Sequence, residues 1–274
     1  GNNDVIVTEA STPLVETILD DSEVIIVAMA DDTGLGTYVQ GMSLDVSIDL
    51  SNIGQLTATI TTINLNFNGA SGYSQFALAA PIVLAGGASD TAYITVNIGA
   101  GADNGTIVID ANAIGTEAVS GNPINVPSGG NETSIVVLRS AAPQITLVED
   151  LTAQGTYVEG ETLDVRVTIV NNGEAIISNG VLGLIFNGTG YSFSNVSGIT
   201  ILGYSSIQQT ITVTISIGAN PGIIVIDAEF TGEEQITTGE VIDDASNTTE
   251  TIIVQTQATL AITNNQDITV RAPY

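Results

Sequence analysis

Across 274 residues the chain carries 30 Asp and Glu against three Arg, a formal charge of −27, and it contains no Lys, His, Cys or Trp. That composition removes disulfides and thiolate chemistry, the usual general base and the commonest transition-metal ligand, lysine Schiff bases and lysine cross-links, and any cationic surface able to hold nucleic acid. A hydrophobic fraction of 43% is too high for a disordered chain, and no apolar run approaches the roughly 18 residues of a membrane-spanning helix, so globular domains are expected without nucleic-acid partners or membrane insertion.

The chain opens with an extension over residues 1–22. Its run Asp4–Ser11, "DVIVTEAS", predicts a strand with Val5 and Val7 on one face and Ile6 on the other. Pro13–Asp20 holds the one short helical stripe. A first domain is expected over residues 23–140. Within it Leu44, Val46, Ile48 and Leu50 alternate with Asp45, Ser47 and Asp49, and Ile94, Val96 and Ile98 alternate with Tyr93, Thr95 and Asn97. Alternation of β-branched and polar residues marks strands with one buried and one wet face. A second domain is expected over residues 141–257, where Leu163, Val165, Val167 and Ile169, then Ile211, Val213, Ile215 and Ile217, repeat the pattern. Gly/Asn/Pro clusters at Gly121–Pro123, Asn171–Gly173, Asn179–Gly180 and Ala219–Gly222 supply the turns. Residues 258–274 form a second extension. Read from Gln257, "QATLAIT" lines up with "PQITLVE" at Pro143–Glu149, so Thr259–Thr263, with Leu260 and Ile262, reads as the opening strand of a domain that does not follow; Asp267–Arg271 is a further strand candidate.

The two domains are copies. "GTYVQGMSLDV" at Gly36–Val46 returns as "GTYVEGETLDV" at Gly155–Val165, "FNGASGY" at Phe67–Tyr73 returns as "FNGTGY" at Phe186–Tyr191, and "IVIDA" occurs at Ile107–Ala111 and Ile224–Ala228. Three blocks in one order indicate duplication of a whole domain. The expected fold is all-β: two tandem Ig-like β-sandwiches with N- and C-terminal strand extensions.

These residues also carry a resemblance. "GETLDVRVTIVNNGEAIIS", "ILGYSSIQQTITVTISIGANPGIIVIDA" and "NTTETIIVQ" in the second repeat resemble the CARDB-type and related Ig-like domains of prokaryotic, archaeal or bacterial, cell-surface proteins. The first repeat departs from that pattern, with "SNIG" at Ser51–Gly54 for "NNG" and "DNG" at Asp103–Gly105 for "NPG". The resemblance implies a secreted, extracellular or cell-surface location and a role as spacer, adhesin or fibre subunit.

Candidate sites are sparse. The acidic pairs Asp31–Asp32 and Glu149–Asp150 occupy equivalent positions and are either calcium ligands or a solvated rim; no other cofactor is expected. N-x-Ser/Thr sequons begin at Asn104, Asn131, Asn187, Asn195 and Asn247. Tyr38/Tyr157 and Tyr73/Tyr191 recur and read as core or corner tyrosines. Carboxylates can hydrolyse glycosides, but no Trp and 4% aromatic residues leave no sugar platform, so no enzyme is expected. The leading functional expectation is a structural subunit of an extracellular, pilus-like filament, a homopolymer in which an apolar extension (Val5, Ile6 and Val7, or Leu260 and Ile262) completes a sheet of the next copy. The alternatives are a spacer or adhesin module of a larger surface protein, or a carbohydrate-directed accessory domain. Because copies at −27 repel, assembly is expected to be favoured by calcium or by acid.

Overall fold

The computed structural model describes residues 19–243 and 248–263, and among them every regular element is a strand. The chain divides into two compact units, Gly1–Val137 and Leu138–Tyr274. The first unit holds β1 (Val24–Asp31), β2 (Thr37–Val39), β3 (Ser43–Asn52), β4 (Ala58–Asn66), β5 (Tyr73–Gln75), β6 (Ile82–Leu84), β7 (Ser89–Ile98), β8 (Gly105–Glu117), β9 (Pro123–Val126) and β10 (Thr133–Leu138). The second repeats the series as β11 (Pro143–Asp150), β12 (Thr156–Val158), β13 (Thr162–Asn171), β14 (Ile177–Phe186), β15 (Tyr191–Ser192), β16 (Val196–Ile201), β17 (Ser206–Ile215), β18 (Gly222–Glu234), β19 (Glu240–Asp243) and β20 (Glu250–Gln255).

Each unit is a two-sheet sandwich of the same topology. One sheet runs β1-β3-β7-β5 and the other β2-β10-β8-β4-β6, with β9 pairing the far half of β8; the second unit runs β11-β13-β17-β15 and β12-β20-β18-β14-β16, with β19 on β18. The opening strand therefore changes sheets. β11 is antiparallel to β13, and after the loop β12 runs parallel to β20. This is the Ig-like arrangement, present twice.

The period-two runs explain the cores. Leu44, Val46, Ile48 and Leu50 are all buried, as are Leu163, Val165, Val167 and Ile169, because successive side chains on a strand face opposite ways. Both opening strands carry a bulge at the same place, between Ile26 and Ala28 and between Ile145 and Leu147. Each core closes on itself, one around Tyr38 and Ile48 and the other around Tyr157, Val167 and Phe230.

The extension candidates Asp4–Ser11 and Asp267–Arg271, with Val5, Ile6 and Val7, lie outside the described residues. Thr259–Thr263 lies within them and forms no strand. Leu260 is 94% exposed and Ile262 82% exposed, so this stretch does not add an edge strand to its own domain.

Candidate functional site

The loop after each opening strand is built around one carboxylate. Asp31 accepts hydrogen bonds from the Gly34 and Gly36 N–H groups (3.1 and 3.0 Å) and from the Tyr38 hydroxyl (2.5 Å). Asp150 accepts from the Thr152 and Ala153 N–H groups (2.9 and 3.2 Å) and from the Tyr157 hydroxyl (2.5 Å). Both tyrosines are fully buried. Burial first, and the neighbouring carboxylate second, push each phenol up to about 12. The reading of these rings as core tyrosines holds. Asp31 and Asp150 each accept three hydrogen bonds from the loop and the strand after it, and Glu149 is paired with Arg166 at 2.5 Å. Adjacent acids in sequence thus face different partners: Asp31 and Asp150 turn into their loops, Glu149 turns to Arg166 on β13, and among the described residues Asp32 shows no side-chain bond. Among the described residues no three carboxylates converge as a cation site.

A pH test follows from the tyrosines. Their folded pKa lies above the ordinary value of 10, so the stability they contribute is complete below pH 10 and is lost as pH rises through about 12. Burial also raises Tyr73 and Tyr191, so alkaline titration followed by tyrosinate absorbance should show a late group of phenols, and Tyr38→Phe together with Tyr157→Phe should remove its last-titrating part, near pH 12.

The N-x-G segments are the second repeated device. Asn52 and Asn171 are both 0% exposed. The Asn171 side chain accepts from the Ala142 and Gly173 N–H groups (both 3.0 Å) and donates to the Ala175 and Leu202 carbonyls (2.8 and 3.3 Å). Asn52 accepts from Glu23 and Gly54 and donates to Leu56, Leu84 and Ala85. A Cβ at Gly54 would lie 2.1 Å from the Asp21 carbonyl oxygen, and one at Gly173 would lie 1.9 Å from that of Ser140. The apparent departure of "SNIG" from "NNG" is confined to the middle residue, since the working Asn and Gly are kept.

The "FNG…GY" blocks lock a loop at the far end. Phe67 stacks on Tyr73 with centroids 5.0 Å apart, and Phe186 on Tyr191 at 4.8 Å; the tyrosine hydroxyls donate to the carbonyls of Asp103 and Asn220. In "IVIDA", Asp110 and Asp227 accept from the N–H of the next residue, Ala111 and Ala228, at 2.7 and 2.8 Å. These N–H groups sit where β8 has passed beyond β10 and has not yet met β9, and likewise on β18. The repeated residues of these blocks thus make the same structural contacts in both units.

The sequons differ in accessibility. Asn187 and Asn195 are exposed, Asn104 and Asn131 are half-buried, and Asn247 lies outside the described residues. The Asn131 amide nitrogen, which a glycan would need, donates to the Ile26 carbonyl at 2.5 Å. The Asn187 carbonyl oxygen accepts from Val225, which holds the side chain while leaving its nitrogen uncommitted to that bond.

One cleft follows the edge of an opening strand, and periodicity could not show it. It lies in the first unit along the edge of β1, holds about 420 Å³, and is lined by Glu23, Val24, Ile25 and Ile26 on one wall and by Asp110, Asn125, Val126 and Asn131 among others opposite. Glu23 and Ile25 lie in the register that bonds to β3, the Glu23 carbonyl accepting from Ile53 N–H at 2.7 Å. The backbone groups of Val24 and Ile26 therefore face the other way, toward the cleft.

No family model matches the sequence, and no curated protein matches it. Among solved structures, a red sea bream transglutaminase is similar over 88% of this chain at 11% identity and a TM-score of 0.30, the chain spanning 32% of that protein's length. A Porphyromonas gingivalis W83 protein of unknown function is similar over 87% of this chain and 100% of its own, at 10% identity and a TM-score of 0.31.

Proposed function

We propose that this protein is a structural subunit of an extracellular filament, polymerised by donation of a terminal strand from one copy to a sheet of the next. The observation that carries the reading is the stretch Thr259–Thr263: β-prone and apolar, matched in sequence to a domain-opening strand, yet unpaired within its own domain with Leu260 and Ile262 exposed. An apolar extension of this kind left in solvent is an aggregation hazard, whereas an extension that pairs with an open sheet edge gains ladder hydrogen bonds and side-chain pockets. The absence of His, Cys and Lys from the sequence, and the use of the repeated Asp, Asn and Tyr residues as internal braces, agree with a building role. Calcium or acid would assist assembly by reducing repulsion between copies of charge −27.

Electron microscopy of the purified full chain tests the reading: fibres with an axial repeat near the length of two sandwiches are expected. Removing residues 258–274 or residues 1–11 separates the two extensions, and the loss of one should leave folded monomers. If both deletions leave the same fibres, strand donation is excluded and the spacer or adhesin role takes its place.

A further inference from the structure

The two repeats share a fold but treat the edge of the opening strand in opposite ways. In the second unit that edge is sealed. Pro143, at the position of Val24, has no N–H to offer. The Ile145 N–H donates to the Asp243 carboxylate at 2.5 Å, and the Ile145 carbonyl accepts from the Thr248 hydroxyl at 3.5 Å. Proline, an inward-facing charge and side-chain caps are the means by which natural sheets prevent edge-to-edge pairing.

In the first unit each seal but one is missing. Val24 keeps its N–H. Val126 stands where the second unit has Asp243: Val126 pairs with Ala113 and Asp243 with Phe230, equivalent residues of β8 and β18. Among the described residues only the Ile26 carbonyl is capped, by Asn131. The result is the 420 Å³ cleft, with the N–H groups of Val24 and Ile26 along one wall. We infer that this cleft is the acceptor site for a strand from a second copy, and that the strand is Ile268–Arg271. The inference rests on the filament reading above and assigns it a groove and an occupant.

Three features select that occupant. The cleft wall Glu23–Ile26 is four residues long, the number of residues in Ile268–Arg271, the part of the Asp267–Arg271 candidate that follows its acidic first residue. Glu23 and Asp110 give the cleft acidic walls, and "ITVR" brings Arg271 to them. The competing segment, Asp4–Ser11, would bring Asp4 and Glu9 against the same carboxylates. Finally, the described chain leading toward Ile268, residues 256–263, forms no strand with its own sandwich.

The test transplants the seals of the second unit into the first. Val24→Pro copies Pro143 and Val126→Asp copies Asp243, each a residue that the same fold already carries at the equivalent place. A fluorescent peptide of residues 264–274 is titrated with the full chain, by anisotropy, at concentrations too low for polymer. The peptide should bind. Val24→Pro and Val126→Asp should each weaken it by about tenfold or more, and so should Val270→Asp in the peptide, a change that cannot affect folding of the protein. Absence of binding, or binding insensitive to all three changes, overturns the site; binding of a 1–11 peptide instead overturns the occupant. Electron microscopy of the same proteins separates the two levels. Fibres that persist in a folded Val24→Pro chain leave the filament standing and the cleft refuted. Peptide held in the cleft by a chain that makes no fibres leaves the cleft standing and the filament refuted.

Discussion

Replacing Asn171 by Ala should lower the stability of the second unit by about 3–5 kcal/mol, a large part of what holds a domain of this size. The side chain is wholly buried and makes four bonds to backbone groups from four loop positions. Alanine would remove every partner at once, and each buried N–H or C=O left unmade costs about 1–3 kcal/mol, less whatever water recovers. Asp should not rescue it, because a carboxylate cannot donate to Ala175 and Leu202. Urea unfolding of the full chain should then show the second unit melting first. Asn52→Ala should make the corresponding change in the first unit, and equal midpoints for both variants and the parent would refute this role.

Phe230→Ala should cost a similar amount, about 3–5 kcal/mol. Phe230 is one of the largest fully buried side chains, and its ring lies against the backbone of Gly180, where a Cβ would come within 2.7 Å of it. In the first repeat the residue paired like Phe230 is Ala113, so that core is filled from other positions. The two sandwiches have kept their topology while exchanging volume between facing strands. The truncation leaves a ring-sized cavity that the rigid β14–β18 ladder cannot close. A midpoint shift of less than about 1 kcal/mol would show that the core collapses around it. Ala113→Phe in the first unit should also destabilise, by overpacking.

How far the sequence could be read depended on whether a signal was local. The alternation of Leu44, Val46, Ile48 and Leu50 needs only the pleat of a single strand, and it identified a core face in each repeat. The repeated blocks established duplication, but their purpose depended on partners distant in sequence. Asn52 and Asn171 work because a loop some 30 residues away returns its carbonyls to them. Asp31 and Asp150 read as calcium ligands or a solvated rim because acids were adjacent; in three dimensions each also accepts from a tyrosine seven residues along the chain, a role that adjacency could not show. "SNIG" looked divergent because the replaced residue lies between the two that matter. The open edge of β1 was hidden for a different reason. Val126 and Asp243 become comparable only once β9 and β19 are placed in register on β8 and β18.

Strand donation between copies is open to one direct measurement, because the sequence contains no cysteine and any introduced thiol is unique. Two single variants, Ile25→Cys and Thr269→Cys, are spin-labelled separately and mixed under conditions that form fibres. Ile25 lines the β1 edge with its side chain exposed, so a label there leaves the backbone edge available. Signal between the labels can arise only between different chains. Strong short-range dipolar coupling in the mixture, absent from either variant alone and lost on Val24→Pro, is the expected result. Fibres in which the two labels show no coupling would contradict strand donation into this edge.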